Sequence, residues 1–363
     1  MKVYEILSIL DQIAPFFLQE NFDNSGIQFV DLENEVNKIL LGLDLTQEVL
    51  EEAIKNNANL IITHHPLIYT PLKKITKQDN PIFFELVTNK INLISYHTNF
   101  DLAENGLNDY LIKLLKIKKI RPIKISSEKN YKFVVYVPRN YASKISEAIF
   151  KAGAGKIGNY TETSFYIDGK GTFKPMPGCQ PFIGEIGKRE EVEEIKIETV
   201  VPERFLDSVI KAMKKAHPYE EPAYDIFEIF TKPNYGIGWI GELTRSLPIS
   251  QFSLQIKEKL QAKYVRLITA RSRPIKKIAL CAGGGSFLLE QVSKSDVDLY
   301  LTGDIKYHDA LHAKEIGLNI LEVEHFETEK FFQDALYSQL IKFNIPEQII
   351  IKSKKLKSPY QLI

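Results

Sequence analysis

Leu60-Ile-Ile-Thr-His-His-Pro-Leu67 is the stretch of sequence that decides the predicted fold. Its apolar and β-branched residues predict a buried strand, and Pro66 ends that strand just after His64 and His65. Ligand sites in open α/β sheets lie at the carboxyl ends of the strands. The stretch therefore predicts an α/β fold in which two imidazoles reach a ligand site at the edge of a sheet.

Two other predicted strands end in the same way. The first, residues 91–96, is followed by His97 and Asp101, and the second, residues 319–323, is followed by His325 and Glu329. A helix that starts at His325 would place His325 and Glu329 on one face. Imidazole and carboxylate together are typical ligands of zinc, iron or manganese. The three strand ends together predict a metal site, whereas two adjacent histidines alone also fit one core and one surface residue.

Length, charge and cysteine content narrow the class of protein. At 363 residues the chain is long enough for two or three domains, and its 44% hydrophobic and 26% charged residues are typical of a soluble globular protein. The formal net charge of +1 gives no global field that favours nucleic acid or an anionic membrane. No apolar run approaches the roughly 20 residues of a membrane span, and the amino terminus carries charge too early for a signal peptide. With only two, widely spaced cysteines, we expect a cytoplasmic protein.

The alternation of predicted strands and helices divides the chain. Strands and helices alternate from the amino terminus to about Pro122, and the alternation resumes after Pro233. This alternation favours a parallel or mixed sheet with helices packed on it. The residues in between show strand–helix–strand twice, the pattern of a ferredoxin-like α+β unit. We therefore predict a discontinuous α/β domain, residues 1–126 and 234–363, with the metal site at its strand ends. Residues 127–233 are predicted to form an inserted ferredoxin-like domain.

Acid–base and phosphate-binding groups are predicted near the same edge of the sheet. In Leu301-Thr-Gly-Asp-Ile-Lys-Tyr-His308, Lys306 is a candidate phosphate ligand and His308 a candidate proton carrier. A capped helix with an exposed lysine explains this pattern equally well. His97 is a second candidate proton carrier, or a group that orients a ligand carboxylate.

Two more segments have both a functional and a structural interpretation. Cys281-Ala-Gly-Gly-Gly-Ser286 is a glycine-rich turn into a helix, and the amides around Gly284 are candidate phosphate donors. Tight packing is the alternative, since the turn lacks the lysine of a P-loop. His217-Pro-Tyr-Glu-Glu-Pro222, in the predicted insert, combines acids with an imidazole, and a structural loop with two prolines is its simpler interpretation.

Several of these motifs resemble one family, the Nif-three-like dinuclear-metal family, whose members are called GTP cyclohydrolase 1 type 2 homologues. The resemblance covers nearly the whole chain. Its landmarks are Asp23-Asn-Ser-Gly-Ile-Gln28, Thr63-His-His-Pro-Leu-Ile68, His97-Thr-Asn-Phe-Asp101, Thr302-Gly-Asp-Ile-Lys-Tyr-His308 and His325-Phe-Glu-Thr-Glu329. The insert is similar to that of the longer bacterial members, which resembles CutA and the nitrogen-signalling trimers. Gly153-Ala-Gly-Lys-Ile-Gly-Asn-Tyr160 and the segment from His217 to Pro222 carry this part.

The resemblance implies more about the site than about the substrate. It implies two divalent metal ions held by His64, His65, Asp101, His325 and Glu329, and a toroidal homohexamer whose sites face an internal cavity. The sequence departs from the expected motif in Tyr235-Gly-Ile-Gly-Trp-Ile-Gly241, where Trp239 stands in place of an arginine. A substrate phosphate would therefore need other contacts, for which Lys306 and the glycine-rich turn are the candidates.

The predicted activity follows from the metal site together with the family resemblance. The first hypothesis is a dinuclear-metal-dependent hydrolase of a nucleotide-like substrate, with the opening of a purine ring and release of formate as the cyclohydrolase version. A metal-dependent phosphatase would use the same groups on phosphorus. The alternative from another class is a metal- or nucleotide-binding regulatory scaffold without turnover, with the insert as its sensor.

Overall fold

The computed structural model describes residues 1–125, 129–158, 160–230 and 235–361. The chain forms two compact units, one from Met1–Ser126 with Asn234–Ile363 and the other from Ser127–Pro233. The predicted boundaries at residues 126–127 and 233–234, and Asn159 of the insert's glycine-rich landmark, lie outside the described residues.

Helices and strands alternate along both units. The first segment contains α1 (Val3–Ile13), β1 (Gly26–Phe29), β2 (Ile39–Gly42), α2 (Gln47–Lys55), β3 (Leu60–Thr63), α3 (Pro81–Asn89), β4 (Asn92–Ser95), α4 (Thr98–Leu102), α5 (Leu107–Leu114) and β5 (Lys118–Ile125). The insert contains β6 (Asn130–Pro138), α6 (Ala142–Lys151), β7 (Ser164–Phe173), β8 (Glu190–Pro202), α7 (Leu206–Ala216) and β9 (Tyr224–Ile229). The last segment contains β10 (Gly236–Leu247), α8 (Ile249–Lys259), β11 (Val265–Ile268), β12 (Ile275–Gly284), α9 (Leu289–Ser293), β13 (Leu299–Gly303), α10 (Tyr307–Glu315), β14 (Asn319–Val323), α11 (His325–Glu329), α12 (Phe332–Lys342) and β15 (Ile350–Lys352). None of the helices within these described ranges is long and apolar enough to cross a membrane.

The first unit contains a five-stranded sheet with the order β1-β4-β3-β2-β15. β2, β3 and β4 are parallel, and every residue of these three strands is buried, as their continuous apolar sequences predict. Local signals place the helices between them: Thr46 caps α2 by accepting a hydrogen bond from the Val49 amide, and Pro81 occupies the first turn of α3. The three parallel strands therefore end at one edge of the sheet.

The same unit contains a six-stranded sheet with the order β11-β14-β13-β12-β10-β5. Its central strands β12, β13 and β14 are again parallel, while the outer strands pair antiparallel. The pattern of alternation predicted one sheet, and the structure has two, each built around three parallel strands. β5 and β10 flank the insert in sequence and pair directly, with Ile125 opposite Gly236.

The inserted unit is a four-stranded antiparallel sheet with the order β7-β8-β6-β9. Alternate residues of β6 and β8, among them Phe133, Val135 and Ile197, pack against Ile149 of α6 and Val209 of α7. β7 lies between α6 and β8 in the chain and pairs with β8 along its whole length. The other face of the sheet is therefore free of these two helices.

We predict that the first unit folds without the insert. Because Ile125 and Gly236 are opposite each other in the β5–β10 ladder, a short glycine–serine turn in place of residues 126–234 would close the two strands as a hairpin. The shortened protein should be soluble, unfold cooperatively on heating and keep its metal, as measured by circular dichroism and metal analysis.

A deletion that also removes Lys118–Ile125 is the control, since it takes away the edge strand of the sheet and should destabilise the protein. An aggregated, metal-free product from the first deletion would show that the insert is needed to build the first unit.

Candidate metal centre

The carboxyl ends of β3 and β4 in the first sheet and of β14 in the second bring the predicted ligands together. His64 and His65 follow β3, His97 follows β4, and His325 opens α11 directly after β14. The ring centroid of His65 lies 5.4 Å from that of His97 and 5.6 Å from that of His325. The ring centroids of His64 and His97 are 5.1 Å apart. Four imidazoles from two sheets therefore share one site.

Each of these imidazoles is oriented by a hydrogen bond at Nδ1. The acceptors are the Tyr96 carbonyl for His64 (2.9 Å), Asp44 for His65 (2.8 Å), Asp23 for His97 (2.7 Å) and Asp304 for His325 (2.6 Å). Metal-bound histidines usually have such a partner on the second ring nitrogen, which fixes the tautomer and the ring orientation. The four Nε2 atoms are thus left available as ligands.

Two carboxylates face these nitrogens. Glu329 Oε2 lies 3.0 Å from His65 Nε2 and 2.8 Å from His325 Nε2, while Oε1 lies 3.8 Å from His64 Nε2. Asp101 Oδ1 lies 3.8 Å from the same His64 nitrogen. The two oxygens of Glu329 therefore face different imidazoles, as in a carboxylate shared by two ions.

The buried atoms of the cluster fit a metal better than they fit one another. His64 Nε2, Asp101 Oδ1 and Glu329 Oε2 are fully buried and have no hydrogen bond in the described structure. Glu329 Oε2 lies within 3.0 Å of two imidazole nitrogens, so the atoms converge on a common space. Donors at 2.0–2.2 Å from one zinc ion stand about 3–4 Å apart, which matches the separations above. Two sets of candidate ligands have donor atoms within 4.8 Å of one another, His64 with His65 and His97, and His65 with His325 and Glu329.

The charges of the metal-free cluster are strongly coupled. Burial lowers the pKa of His65, but the Asp44 and Glu329 carboxylates outweigh it and raise this pKa to about 10. For His325, burial is likewise outweighed by Asp304 and Glu329, and its pKa rises to about 11. Burial raises the pKa of Glu329, yet the surrounding imidazoles hold it well below its usual range. Without metal, protons on the imidazoles therefore balance the Glu329 charge.

Close backbone packing holds Glu329 in place. Gly283, at φ +62°, lies so close that a Cβ atom there would be 2.0 Å from Glu329 Oε1. Its amide donates to Thr328 Oγ1 (2.9 Å), and the Thr328 hydroxyl donates to the His325 carbonyl (2.8 Å). The end of β12 is thus tied to α11, and the glycine is required because any side chain would displace the carboxylate.

The structure brings some predicted residues to the cluster and leaves others away from it. His64, His65, Asp101, His325 and Glu329 all contribute, and the position of His97 makes it a candidate ligand as well as a candidate proton carrier. Lys306 and His308 are exposed at the start of α10, and no hydrogen bond or ion pair of the described residues joins either to the cluster. The proposed roles of these two residues and of Gly284, which is exposed at the end of β12, remain predictions.

Trp239, at the position where an arginine was expected, belongs to the hydrophobic core. Its side chain is 5% exposed, and Lys119 Nζ lies 4.0 Å from its ring centroid. The indole therefore contributes packing and a cation–π contact, which replace any anion contact at this position.

The sequence arguments missed the carboxylates that hold the imidazoles. Asp44 follows β2 and Asp304 follows β13, so both lie at the carboxyl ends of strands that neighbour those of the histidines. Asp304 adopts φ +54° and accepts a hydrogen bond from His325 Nδ1. Asp23 was noted only as part of a family landmark. The rule that selected the histidines, polar residues at the carboxyl ends of strands, also selects Asp44 and Asp304.

We predict that Glu329→Gln loses at least one of two bound ions, because a neutral amide replaces the carboxylate that faces three imidazoles. Metal content per chain after loading with zinc would be measured by mass spectrometry. Glu327→Gln is the matched control, since Glu327 is equally buried on the same helix but is paired with Lys330 at 2.5 Å. It should keep both ions. Full occupancy in Glu329→Gln would contradict the ligand assignment.

Metal uptake should release protons and weaken as the pH falls. The raised pKa values of His65, about 10, and His325, about 11, mean that both rings are protonated at neutral pH in the metal-free protein. A metal ion binds only the neutral imidazole, so it must displace these protons, and its affinity should rise with pH across the neutral range. Calorimetric titrations at pH 7 in buffers of different ionisation enthalpy measure the release. A binding heat that does not depend on the buffer would contradict this expectation.

Comparisons with known proteins agree with the motifs. Residues 1–358 match the family model described as Duf34/NIF3 (NGG1p interacting factor 3). Proteins named GTP cyclohydrolase 1 type 2 homolog from Staphylococcus epidermidis and Bacillus subtilis are 35% and 34% identical, over 94% and 93% of this chain and 94% and 91% of their own lengths.

Solved structures give the same result. A Bacillus cereus protein related to NIF3 matches with a TM-score of 0.79 and 34% identity, covering 100% of this chain and 99% of that one. A Staphylococcus aureus protein matches with a TM-score of 0.81 and 30% identity over the same shares. The resemblance inferred from the motifs is confirmed: this chain belongs to the Duf34/NIF3 family.

Proposed function

We propose that this protein is a hydrolase that depends on two divalent metal ions and acts on a nucleotide-like substrate. The observation that carries the proposal is the convergence of four oriented imidazole nitrogens on the buried carboxylates of Asp101 and Glu329. Zinc, iron and manganese all accept this mixture of ligands. When bound, a pair of such ions supplies Lewis acidity and an activated water molecule for hydrolysis.

Different side chains are proposed to bind the metal ions and to transfer protons. His64, His65, Asp101, His325 and Glu329 would hold the ions. Opening a purine ring requires a proton at the departing ring nitrogen, and His97 is the proposed carrier of this proton. Its Nδ1 is held by Asp23 at 2.7 Å, so its Nε2 remains free to carry the proton. His308 is the second proposed carrier.

The substrate class rests on the family. Relatives bear the name GTP cyclohydrolase 1 type 2 homolog, and this supports a purine nucleotide that is opened by water with release of formate. Lys306 and the turn around Gly284 are the proposed phosphate contacts. The family also supports a toroidal homohexamer, and the two free cysteines, Cys179 and Cys281, support a cytoplasmic setting. The strand order of the insert supports a ferredoxin-like domain within a discontinuous α/β domain.

Two observations favour the alternative of a regulatory scaffold without turnover. The Gly283 amide, in the turn proposed for phosphate, already donates to Thr328, and Trp239 replaces the expected arginine in the core. The first unit therefore offers few anion contacts at the metal cluster within its described residues. A scaffold would need the metal ligands but no substrate phosphate site.

Turnover by metal-loaded protein decides between these functions. Metal-free protein would be loaded with zinc, iron or manganese and assayed with GTP for formate and for phosphate. We expect formate release, and we expect His97→Ala to keep its metal while losing about a hundred- to ten-thousand-fold in rate. His308→Ala tests the second carrier. His312→Ala, which removes a half-buried histidine paired with Glu290, is the control and should change neither quantity.

The other outcomes identify the alternatives. Phosphate without formate would indicate the phosphatase. No turnover of GTP or related nucleotides by any metal form would leave the scaffold. Loss of metal from His97→Ala would make His97 a ligand and remove it as the proton carrier.

A further inference from the structure

The inserted unit contains a cavity of about 860 Å³ that shares no residue with the metal cluster. Its floor is the sheet face that the helices leave free, with Tyr136, Ile167, Glu194 and Lys196 among its residues. The segment 174–183 and the loop around Tyr219 form its walls. This volume lies in the range of pockets that bind small organic molecules, about 300–1,000 Å³.

A buried carboxylate lies on the floor of this cavity. Glu194 is 8% exposed, and its Oε1 accepts a hydrogen bond from the Tyr219 hydroxyl at 3.0 Å. Its Oε2 has no hydrogen bond and no ion-pair partner among the described residues. A Cβ atom on Gly171 would lie 2.0 Å from this oxygen, so the glycine leaves the space that the carboxylate occupies. No described cation of the insert is paired with this carboxylate, so a cationic ligand would complete it.

Aromatic rings surround the same carboxylate. The ring of Tyr219 lies 5.8 Å from Phe173 and 6.3 Å from Phe182, with interplanar angles of 58° and 50°. The three rings do not stack on one another, and all three line the cavity. The faces of aromatic rings attract organic cations, above all where the cation is desolvated.

The segment from His217 to Pro222 positions this ring. His217 Nε2 donates to the Tyr136 carbonyl at 3.0 Å, and its Nδ1 accepts from the Tyr219 amide at 3.1 Å. Burial lowers the pKa of His217, which keeps the ring neutral and able to accept at Nδ1. The motif thus holds the backbone of Tyr219 so that the hydroxyl reaches Glu194.

The charges that line the cavity favour a cation. Lys170 and Lys196 are each paired at 2.6 Å, with Glu191 and Glu198. The lining groups without an ion-pair partner in the described part of the insert are Glu194, Glu220, Glu221 and Lys174. Carboxylates therefore outnumber cations among them, which disfavours a phosphate. A calcium-sized ion would need six to eight oxygen ligands, more than a single buried carboxylate supplies.

We propose that this cavity binds a small organic ammonium ion, with its charged group at Glu194 and against the ring of Tyr219. The site belongs to the inserted unit and is independent of the hydrolase activity. A ligand of this class would give the insert a role of its own, as the receptor for a cationic metabolite.

Calorimetric titration of the full-length protein with choline and with spermidine tests the proposal. We expect saturable binding of at least one of them, and at least about tenfold weaker binding of the neutral isostere of choline, in which carbon replaces the quaternary nitrogen. Glu194→Gln should weaken binding by a similar factor. Gly171→Ala keeps the charge but displaces the carboxylate, and should weaken binding too.

Glu228→Gln is the matched control, since it removes an exposed carboxylate of the same unit that lies outside the cavity and pairs with Lys129 at 2.9 Å. It should bind as the natural protein does. If Glu194→Gln does not fold, by circular dichroism, Gly171→Ala decides. No saturable binding of either ammonium ion, equal binding of the neutral isostere, or unchanged binding by the folded cavity variants would overturn the proposal.

Discussion

The metal cluster depends on one constraint, the hydrogen bond that holds Nδ1 of each of its four imidazoles. The acceptors are the Tyr96 carbonyl and the carboxylates of Asp44, Asp23 and Asp304. Parallel strands bring the backbones of the four histidines to one edge of each sheet, but the strands alone do not decide where a ring nitrogen points. Because Nδ1 is held as a donor in the neutral ring, the lone pair of Nε2 faces the shared space.

The same arrangement is costly without an ion. A buried polar atom without a partner costs about 1–3 kcal/mol, and His64 Nε2 and Asp101 Oδ1 are in this state. Protonated imidazoles beside the ionised Glu329 offset part of the cost, which explains the raised pKa values of His65 and His325. Metal ions would replace these protons and satisfy the remaining atoms, as expected of a cluster that could hold metal.

The sequence predicts the cluster better than the fold around it. His64, His97 and His325 were found because apolar strands lead directly into them, and strand sequence is a local signal. Asp23 lies 74 residues from its partner His97, so only the folded chain reveals their contact. The split into two sheets was missed for the same reason, since β15 joins the first sheet from the far end of the chain and β5 joins the second. Helix and strand periods describe single elements and carry no information about such pairing.

X-ray absorption spectroscopy of the zinc-loaded protein tests the central claim most directly. The arrangement of imidazoles and shared Glu329 predicts nitrogen and oxygen ligands at about 2.0–2.2 Å, the multiple scattering of imidazole rings, and a second zinc within about 4 Å. Glu329→Gln should lose the metal–metal signal. A spectrum with no metal neighbour, or with sulfur at about 2.3 Å, would contradict the account, because the first outcome removes the shared carboxylate and the second requires a cysteine ligand.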